Sequence, residues 1–321
     1  MILLKGVVSM YDVAILGIIV ADVMAKPVDS FPGKGQLDTI DSVEIFSGGN
    51  AMTATLNMTK LGSKPVLMGM IGNDSFGDFF IKHMAEKGID GSGVKRTDKV
   101  QTSVSIVLSG TDGERTFLHC PGANGAFDIS DINFDIVNQA KTVFVTGSFL
   151  LNNFDGEQTV EFLKRCKEMG KTTTLDVCWN RDANPSWLIN DAMPYIDIFM
   201  PSIDEAKMIT GKEDIADVSK SILEHGAKAA VIKCGGDGCF VRESIEEDGV
   251  MIPGLKNIEV VDTTGAGDSF CSGFLSAFSR GYSIKESARF GNAVGACCVM
   301  KKGASEGTLT FDETLELLNN N

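Results

Sequence analysis

An acidic residue directly follows a Gly-Ala-Gly turn at the point where a helix is predicted to begin. Residues 261–268 read Val-Asp-Thr-Thr-Gly-Ala-Gly-Asp; residues 258–260 predict a strand before them, and residues 269–279 predict an apolar helix after them. The N–H groups and dipole of such a helix N-terminus form an anion site, and glycines leave room for a ligand. Because a carboxylate there repels phosphate, we interpret Asp268 as a base that deprotonates a hydroxyl attacking a phosphoryl group. A plain helix cap is the alternative.

Two polar loops nearer the amino terminus carry groups that bind hydroxyls. Asp22 follows the first predicted strand, and ligands of open α/β sheets bind beyond the carboxyl ends of strands. Gly48, Gly49 and Asn50 directly precede a predicted helix; the glycines let a ligand lie against the backbone, and the amide of Asn50 both donates and accepts hydrogen bonds. The alternatives are a strand-end turn for Asp22 and a helix cap for Asn50.

Two later loops could contact a nucleotide and its metal ion. Glu205 lies in the first turn of a predicted helix, 202–210, and could hold a water molecule of Mg²⁺; an ordinary first-turn acid is the alternative. Lys233 follows an apolar strand and could reach a phosphate. The backbone from Gly235 to Gly238 could line the nucleotide, although the same segment also suits a β-hairpin turn.

The composition limits the kinds of partner. The chain has 321 residues, a hydrophobic fraction of 43% and a formal net charge of −14, so we expect a globular protein that binds neither nucleic acid nor an anionic membrane. Eight cysteines form no C-x-x-C pair and there are only three histidines, which disfavours a zinc site and predicts a reducing, cytoplasmic location. The apolar run 13–21 is too short to span a membrane, and residues 1–9 resemble an upstream extension.

Short apolar runs alternate with longer amphipathic ones, which predicts a doubly wound, mostly parallel α/β sheet with helices on both faces. The predicted strands are 13–20, 65–71, 142–146, 173–177, 196–200, 229–234 and 239–242. The predicted helices are 51–61, 76–87, 157–169, 202–210, 218–225, 269–279 and 284–300. Segments 22–47 and 99–120 break the alternation, and we expect them to form a small β-sheet lid. The core would then comprise 10–21, 48–98 and 121–321.

Three common motifs are missing. There is no Walker A loop, no G-x-G-x-x-G after the first strand and no G-x-S-x-G. This disfavours a P-loop NTPase, a Rossmann dehydrogenase and an α/β-hydrolase.

Taken together, the polar segments resemble one family. Asp22, Gly48-Gly49-Asn50 and residues 262–268 occur in the order and separation that are typical of the ribokinase-like (PfkB) carbohydrate kinases. The resemblance extends from Met10 over the rest of the chain and includes 122–124 and 301–304. It implies a doubly wound α/β domain with a β-sheet lid over the sugar, and transfer of the ATP γ-phosphate to a sugar hydroxyl.

The resemblance also implies roles for individual residues. Asp268 would be the base, and the N–H groups of Gly265, Ala266 and Gly267 would bind the transferred phosphoryl group. The other implied residues fall into three sets: Asp22, Gly48, Gly49, Asn50 and Asp176 for the sugar; Lys233, Gly235, Gly238, Thr263 and Asn292 for the nucleotide; and Ser202 and Glu205 for Mg²⁺ through water. The family often has a monovalent cation such as K⁺ held by carbonyls, for which Asp262 and Thr264 are the matching positions.

The sequence departs from the family pattern at two places. Ser202 stands where the family usually has Asn near the metal ion; a Ser can still hold a water molecule, so we expect a modest change. Many family members read Asp-x-Asn after the central strand, whereas this chain reads Asp176-Val177-Cys178. Asn180 is the candidate to replace the missing sugar contact.

Several functional alternatives stay open. The acceptor is a small sugar such as ribose, fructose or 2-keto-3-deoxygluconate, phosphorylated on a primary hydroxyl. A nucleoside kinase of the same fold would need a lid aromatic that stacks on a base, for which Phe31, Phe46 and Phe117 are candidates; a non-catalytic sugar-sensing protein is the third reading. The alternation of polar and apolar residues over 102–107 predicts a lid with one covered face, and the resemblance implies a homodimer through the lids.

Overall fold

The chain forms thirteen strands and ten helices within residues 10–112, 114–180 and 184–320, which are the part that the computed structural model describes. The suggestion that residues 1–9 are an extension lies outside it. The strands are β1 Tyr11–Gly17, β2 Val20–Lys26, β3 Ser42–Gly48, β4 Pro65–Gly72, β5 Asp90–Thr97, β6 Val104–Ser109, β7 Arg115–Cys120, β8 Ala140–Ser148, β9 Thr172–Val177, β10 Ile198–Phe199, β11 Ala229–Lys233, β12 Gly238–Arg242 and β13 Val250–Pro253. The helices are α1 Asn50–Lys60, α2 Ser75–Lys87, α3 Gly122–Ala126, α4 Phe134–Asn138, α5 Glu157–Glu168, α6 Ile203–Thr210, α7 Ile215–Glu224, α8 Ala266–Phe278, α9 Ile284–Val299 and α10 Phe311–Asn319.

A nine-stranded sheet forms the centre of the molecule, in the order β13-β12-β11-β10-β9-β8-β1-β4-β5. It is parallel from β11 to β5, and β12 and β13 add antiparallel strands at one edge. Residues of β1 alternate between two cores: Ala14 and Leu16 pack into one, Val13 and Ile15 into the other. Because both faces of β1 are buried, helices must cover both faces of the sheet, as predicted.

Helices α5, α6 and α7 contribute to one core, and α1 and α8 contribute to the other. Their ends follow local rules. Asp74 accepts a hydrogen bond from Gly77 N–H at the start of α2, and left-handed Gly88 ends that helix. None of the helices in the described part of the chain combines the length and apolar composition that a membrane crossing requires.

The lid is a second sheet of four strands, in the order β3-β2-β6-β7. Strand β2 pairs with β3, and β6 with β7, in two antiparallel hairpins. The hairpins are joined by parallel pairing between β2 and β6. The register places Asp22, Phe46, Ser105 and His119 in one row across the sheet. Side chains alternate along each strand, so the row through Ile106 belongs to the opposite face.

Two predicted strands are wrong. The run 13–20 is not one strand: it breaks after Gly17, and the chain re-enters as β2 in the lid, so Asp22 lies inside a lid strand rather than beyond a core strand. The side chain of Asn124 replaces the lost pairing, since its amide exchanges two hydrogen bonds with the backbone of Ile19, at 3.1 and 3.0 Å. Residues 258–260 form no strand; the backbone enters α8 through a loop.

The remaining predicted elements exist with shifted ends, including the β11–β12 hairpin and the β6–β7 hairpin. Strands β5 and β13 and helices α3, α4 and α10 were not predicted. Strand β5 is rich in glycine and charged residues, and it forms because the edge of β4 offers it a partner, so its cause is tertiary pairing rather than pattern.

Candidate active site

The polar loops converge at the carboxyl end of the central sheet, where the strand order reverses. Strand β1 has β4 on one side and β8 on the other, so connections leave in opposite directions from this point. Such a switch point leaves a crevice between diverging loops, which is the usual ligand site of open α/β sheets. The carboxyl ends of β9 and β11 bring Asp176 and Lys233 to the same edge.

Asp268 lies in the first turn of α8 and meets the first residue of α1. Nδ2 of Asn50 donates to Oδ1 of Asp268 at 2.8 Å. Burial raises the pKa of Asp268 to about 7; the bond from Asn50 opposes the rise, and the nearby carboxylate of Asp176 adds to it. The residue is only partly buried, so a ligand can reach it. A carboxyl group that titrates near neutrality is suited to act as a general base.

The two glycines before Asp268 differ in purpose. Gly265 has a φ of +75°, and a methyl group on it would collide with Ala304, so the fold itself requires glycine there. Gly267 has no such constraint: the nearest atom that an added Cβ would meet is Nζ of Lys233, at 3.4 Å. Gly267 therefore leaves the backbone bare next to the ammonium group of Lys233, and the N-terminus of a helix beside a cation is suited to a phosphoryl group.

Lys233 and Asp176 form a buried ion pair next to this space. Nζ of Lys233 donates to both carboxylate oxygens of Asp176 at 2.8 Å, and the side chains are 13% and 2% exposed. Burial raises the pKa of Asp176 to about 6, and the charge of Lys233 opposes that rise. Burial also opposes the charge of Lys233, but Asp176 outweighs it and the pKa of Lys233 rises. The pair is therefore charged at neutral pH.

Asp22 approaches the glycine loop from the lid. A methyl group on Gly48 would collide with the carboxylate of Asp22, and Gly49, at a φ of +90°, caps α1. Burial raises the pKa of Asp22 to about 6, while a bond from Ser105 and the charge of Arg115 lower it. Asp22 of the lid is thus held next to the loop that leads through Gly49 into Asn50 and α1.

Ser202 and Glu205 form a capping box at the start of α6. The N–H of Ser202 donates to Oε2 of Glu205 at 2.7 Å, and the N–H of Glu205 donates to Oγ of Ser202 at 3.4 Å. Ser202, which stands where the family usually has Asn, is therefore the N-cap of α6. Ser and Asn are about equally favourable at an N-cap.

Three other predicted residues hold the backbone. Nδ2 of Asn180 donates to the carbonyl of Phe149 at 2.9 Å. Nδ2 of Asn292 donates to the carbonyls of Ile252 and Pro253, at 3.0 and 3.2 Å, which ties α9 to β13. The carbonyl of Thr263 accepts from the N–H of Ala266. Gly235 and Gly238 have φ of +58° and +106° in the predicted hairpin turn.

Sequence reasoning missed the role of the Asp262 side chain and of Arg115. Oδ1 of Asp262 accepts from the N–H and the hydroxyl of Thr264, at 3.0 and 2.7 Å, and Oδ2 accepts from the N–H of Gly303 at 3.1 Å. Nη2 of Arg115 reaches the same oxygen Oδ1 at 3.2 Å. Burial opposes the charge of Asp262, but the bonds from Thr264 and Gly303 and the charge of Arg115 lower its pKa to about 2. The local Asp-x-Thr spacing is a signal for the turn; the contact with Arg115 has no local signal.

Comparison with known proteins identifies the family of the chain. Residues 10–310 match the family described as pfkB family carbohydrate kinase. The chain is 30% identical over 302 residues to the ATP-dependent 6-phosphofructokinase of Thermoanaerobacterium thermosaccharolyticum, covering 92% of this chain and 89% of that one. It is 28% identical to the ribokinase of Haemophilus influenzae, covering 95% and 97%.

The solved structure of Arabidopsis thaliana ribokinase complexed with ribose and ATP shares the fold, with a TM-score of 0.83 at 24% identity over 96% of this chain and 98% of that one. With the family matched over residues 10–310, the chain belongs to the pfkB family of carbohydrate kinases.

Proposed function

We propose that this carbohydrate kinase transfers the γ-phosphoryl group of ATP to a primary hydroxyl of a small sugar, with Asp268 as the general base. One observation carries the proposal. Asp268, a carboxyl group with a pKa of about 7, lies in the first turn of α8, where Gly267 leaves the backbone bare next to Nζ of Lys233. Asp268 would take the proton of the attacking hydroxyl, and the N–H groups of residues 265–267 would bind the charge on the transferred group.

The acceptor is proposed to be a neutral sugar such as ribose or fructose. Asp22, Gly48, Gly49 and Asn50 offer hydroxyl-binding groups on one side of the crevice. Among the described residues here, the cations Lys233 and Arg115 are each bound to a carboxylate. A sugar that carries a carboxylate, such as 2-keto-3-deoxygluconate, would need a further cation to bind that charge. The same holds for a phosphorylated fructose, for which the 6-phosphofructokinase relative is named.

The nucleotide and its ions fit the remaining residues. Lys233, Gly235, Gly238, Thr263 and Asn292 would lie along ATP. Glu205 would hold a water molecule of Mg²⁺, an ion that neutralises phosphate charge. A monovalent cation such as K⁺ would be held by the carbonyls of Asp262 and Thr264.

We also propose a homodimer through the lids and a reducing, cytoplasmic location. The lid face opposite Asp22 exposes Val43, Ile45, Ile106 and Leu118 at 43–60%, which leaves apolar surface for a second copy to cover. The cysteines, all of which lie in the described part of the chain, are free thiols.

The test is a panel of sugars and nucleosides assayed for ADP release with Mg-ATP. Release with a pentose or hexose, and phosphate found on its primary hydroxyl by NMR, would support the proposal. Release only with nucleosides would favour the second candidate, which the exposed aromatic rings of Phe46 and Phe117 on the Asp22 face of the lid support, at 43% and 57% exposure. Sugar binding without release from any compound would indicate a sensor.

A further inference from the structure

One side chain of the lid crosses to the loop that precedes α8. Arg115, the first residue of β7, donates from Nη2 to Oδ1 of Asp262 at 3.2 Å and to Oγ1 of Thr264 at 2.6 Å. Its partners are 147 and 149 residues away in the sequence. Among the ion pairs of the described residues, this is the one that joins the lid to the core.

The receiving loop leads directly into the turn proposed to bind the phosphoryl group. Asp262 and Thr264 are bonded to each other, and Gly265 follows them as the left-handed cap of α8. The carboxylate of Asp262 also accepts a hydrogen bond from the N–H of Gly303. The next residue, Ala304, packs against Gly265. A charge-assisted bond to this carboxylate therefore restrains the position of residues 265–267.

The lid end of the contact is tied to the proposed sugar site. Arg115 and Asp22 lie on the same face of the four-stranded sheet. Asp22 belongs to the row through Ser105 and His119, and Arg115 lies an even number of residues before His119 on β7, so its side chain points to the same face. Oγ of Ser105 and Nδ1 of His119 are 3.0 Å apart, and Ser105 is the strand partner of Asp22. A sugar that fixes Asp22 would thus fix the sheet that holds Arg115.

We infer that Arg115 is a positioning residue: through Asp262 and Thr264 it couples the position of the lid over the sugar to the geometry of the phosphoryl-binding turn. The coupling makes each substrate improve the binding of the other. The calorimetric test of this inference rests on the proposed kinase function, whereas the hydrogen-exchange test is independent of it.

The first arm needs no ligand. Hydrogen exchange of the Thr264 and Gly303 amides, whose N–H groups bind Asp262, is compared between wild type and Arg115→Met. We expect exchange to be roughly 10–100-fold faster in the variant, the usual effect of losing a hydrogen bond to a charged group. Lys26→Met is the matched control, because Lys26 is a cation on the same lid face whose partner, Glu44, lies within the lid at 2.9 Å. Unchanged exchange in Arg115→Met, or equal acceleration in Lys26→Met, would overturn the inference.

The second arm measures sugar affinity by calorimetry with and without a non-hydrolysable ATP analogue, using the sugar that the panel identifies. We expect the analogue to tighten sugar binding about ten-fold in wild type and in Lys26→Met, and not to change it in Arg115→Met. Retained coupling in Arg115→Met would contradict the inference. A wild type that binds sugar and nucleotide but transfers no phosphate would instead contradict the proposed function and leave the exchange result standing.

Thr264→Val separates positioning from direct contact with the phosphoryl group. It removes the hydroxyl that Arg115 binds and keeps the guanidinium. We expect both Arg115→Met and Thr264→Val to lose the coupling and to have a lower kcat, and this joint loss supports positioning. If kcat falls in Arg115→Met but both quantities stay at the wild-type level in Thr264→Val, Arg115 acts on the substrate itself and the inference is wrong.

Discussion

The charge state of Asp268 is the residue-level property on which the proposed chemistry depends. A base works only when it is deprotonated, and burial raises the pKa of this carboxyl to about 7. We therefore expect kcat/KM to fall ten-fold per pH unit below about 7 and to level off above it. A pH profile with the best sugar, at saturating Mg²⁺, measures this. A flat profile between pH 5 and 8 would show that another group accepts the proton.

Asp268→Asn should lower kcat by roughly 10²–10⁴, the usual contribution of a positioned base. The fold should not suffer. The folded-state pKa of Asp268 is raised above its ordinary 3.8, so the stability it contributes is complete below pH 3.8 and is lost as the pH rises through 7. The variant should thus have a Tm at pH 8 at least as high as wild type. Activity within a few-fold of wild type would remove Asp268 from its assigned role.

Gly267→Val should abolish transfer and leave sugar affinity unchanged. An added Cβ at Gly267 would meet Nζ of Lys233 at 3.4 Å, an ordinary contact, so the fold accepts a side chain there, but a valine would cover the backbone that is proposed to bind the phosphoryl group. Calorimetry with sugar alone separates the two effects. Gly265→Val is the contrasting variant, because the left-handed backbone and Ala304 exclude a side chain there; it should unfold at a lower temperature, and Gly267→Val should not. A shared loss of Tm would assign both glycines to the fold.

At the scale of elements, the two faces of the lid have separate tasks. The sequence predicts one covered apolar face over residues 102–107 and a dimer through the lids, and on that basis Ile106 would serve the sugar and the partner subunit together. The strand register instead places Ile106 on the face opposite Asp22. Ile106→Lys should therefore weaken the proposed dimer, measured by sedimentation velocity at micromolar concentration, and leave the sugar KM unchanged. A higher KM with unaltered association would place Ile106 at the sugar. A wild type that sediments at about 34 kDa, the mass of one chain, would remove the dimer.

Ser202, at the start of α6, stands where the family usually has Asn, and the effect of this difference can be tested. Ser202→Asn restores the residue that is usual in the family, and Asn is an equally good N-cap, so the Tm should not change. The Mg²⁺ concentration for half-maximal rate should fall or stay the same, since groups behind a metal's ligands alter its affinity by up to about 10–100-fold. A clear rise in that concentration would show that the capping box of Ser202 and Glu205 is adapted to this site.

At the scale of the whole molecule, the Asp176–Lys233 pair ties together two strands on either side of β10. Lys233→Met leaves a buried carboxylate unpaired and should destabilise the protein by about 3–5 kcal/mol at pH 8. The loss should be smaller at pH 5, where Asp176 can take a proton, because burial already raises its pKa to about 6. Denaturant unfolding at both pH values measures this.

The double variant Asp176→Leu, Lys233→Met separates stability from catalysis. A hydrophobic pair of similar volume should recover most of the stability, while the missing cation beside Gly267 should keep kcat low. Recovery of activity with stability would show that Lys233 serves the fold alone.

Local pattern was enough to find the elements that build the site. The Gly-Ala-Gly-Asp turn, the capped start of α6 and the β11–β12 hairpin depend on residues a few positions apart, whose preferences act over one turn of chain. Alternation of apolar runs likewise predicted a parallel sheet with two covered faces, because only buried strands read as continuous apolar runs.

Only the tertiary structure decided which distant groups meet. The sequence assigned the segment that begins at Asp22 to the lid, but it did not indicate that the first strand ends at Gly17 and that the lid strand begins at Val20, because the apolar run from Val13 to Ala21 carries no mark of the break that Asn124 stabilises. Nor could it pair Asp176 with Lys233 or Arg115 with Asp262. These contacts depend on how strands cross and on what burial does to a charge, and both are properties of the packed chain rather than of any segment in it.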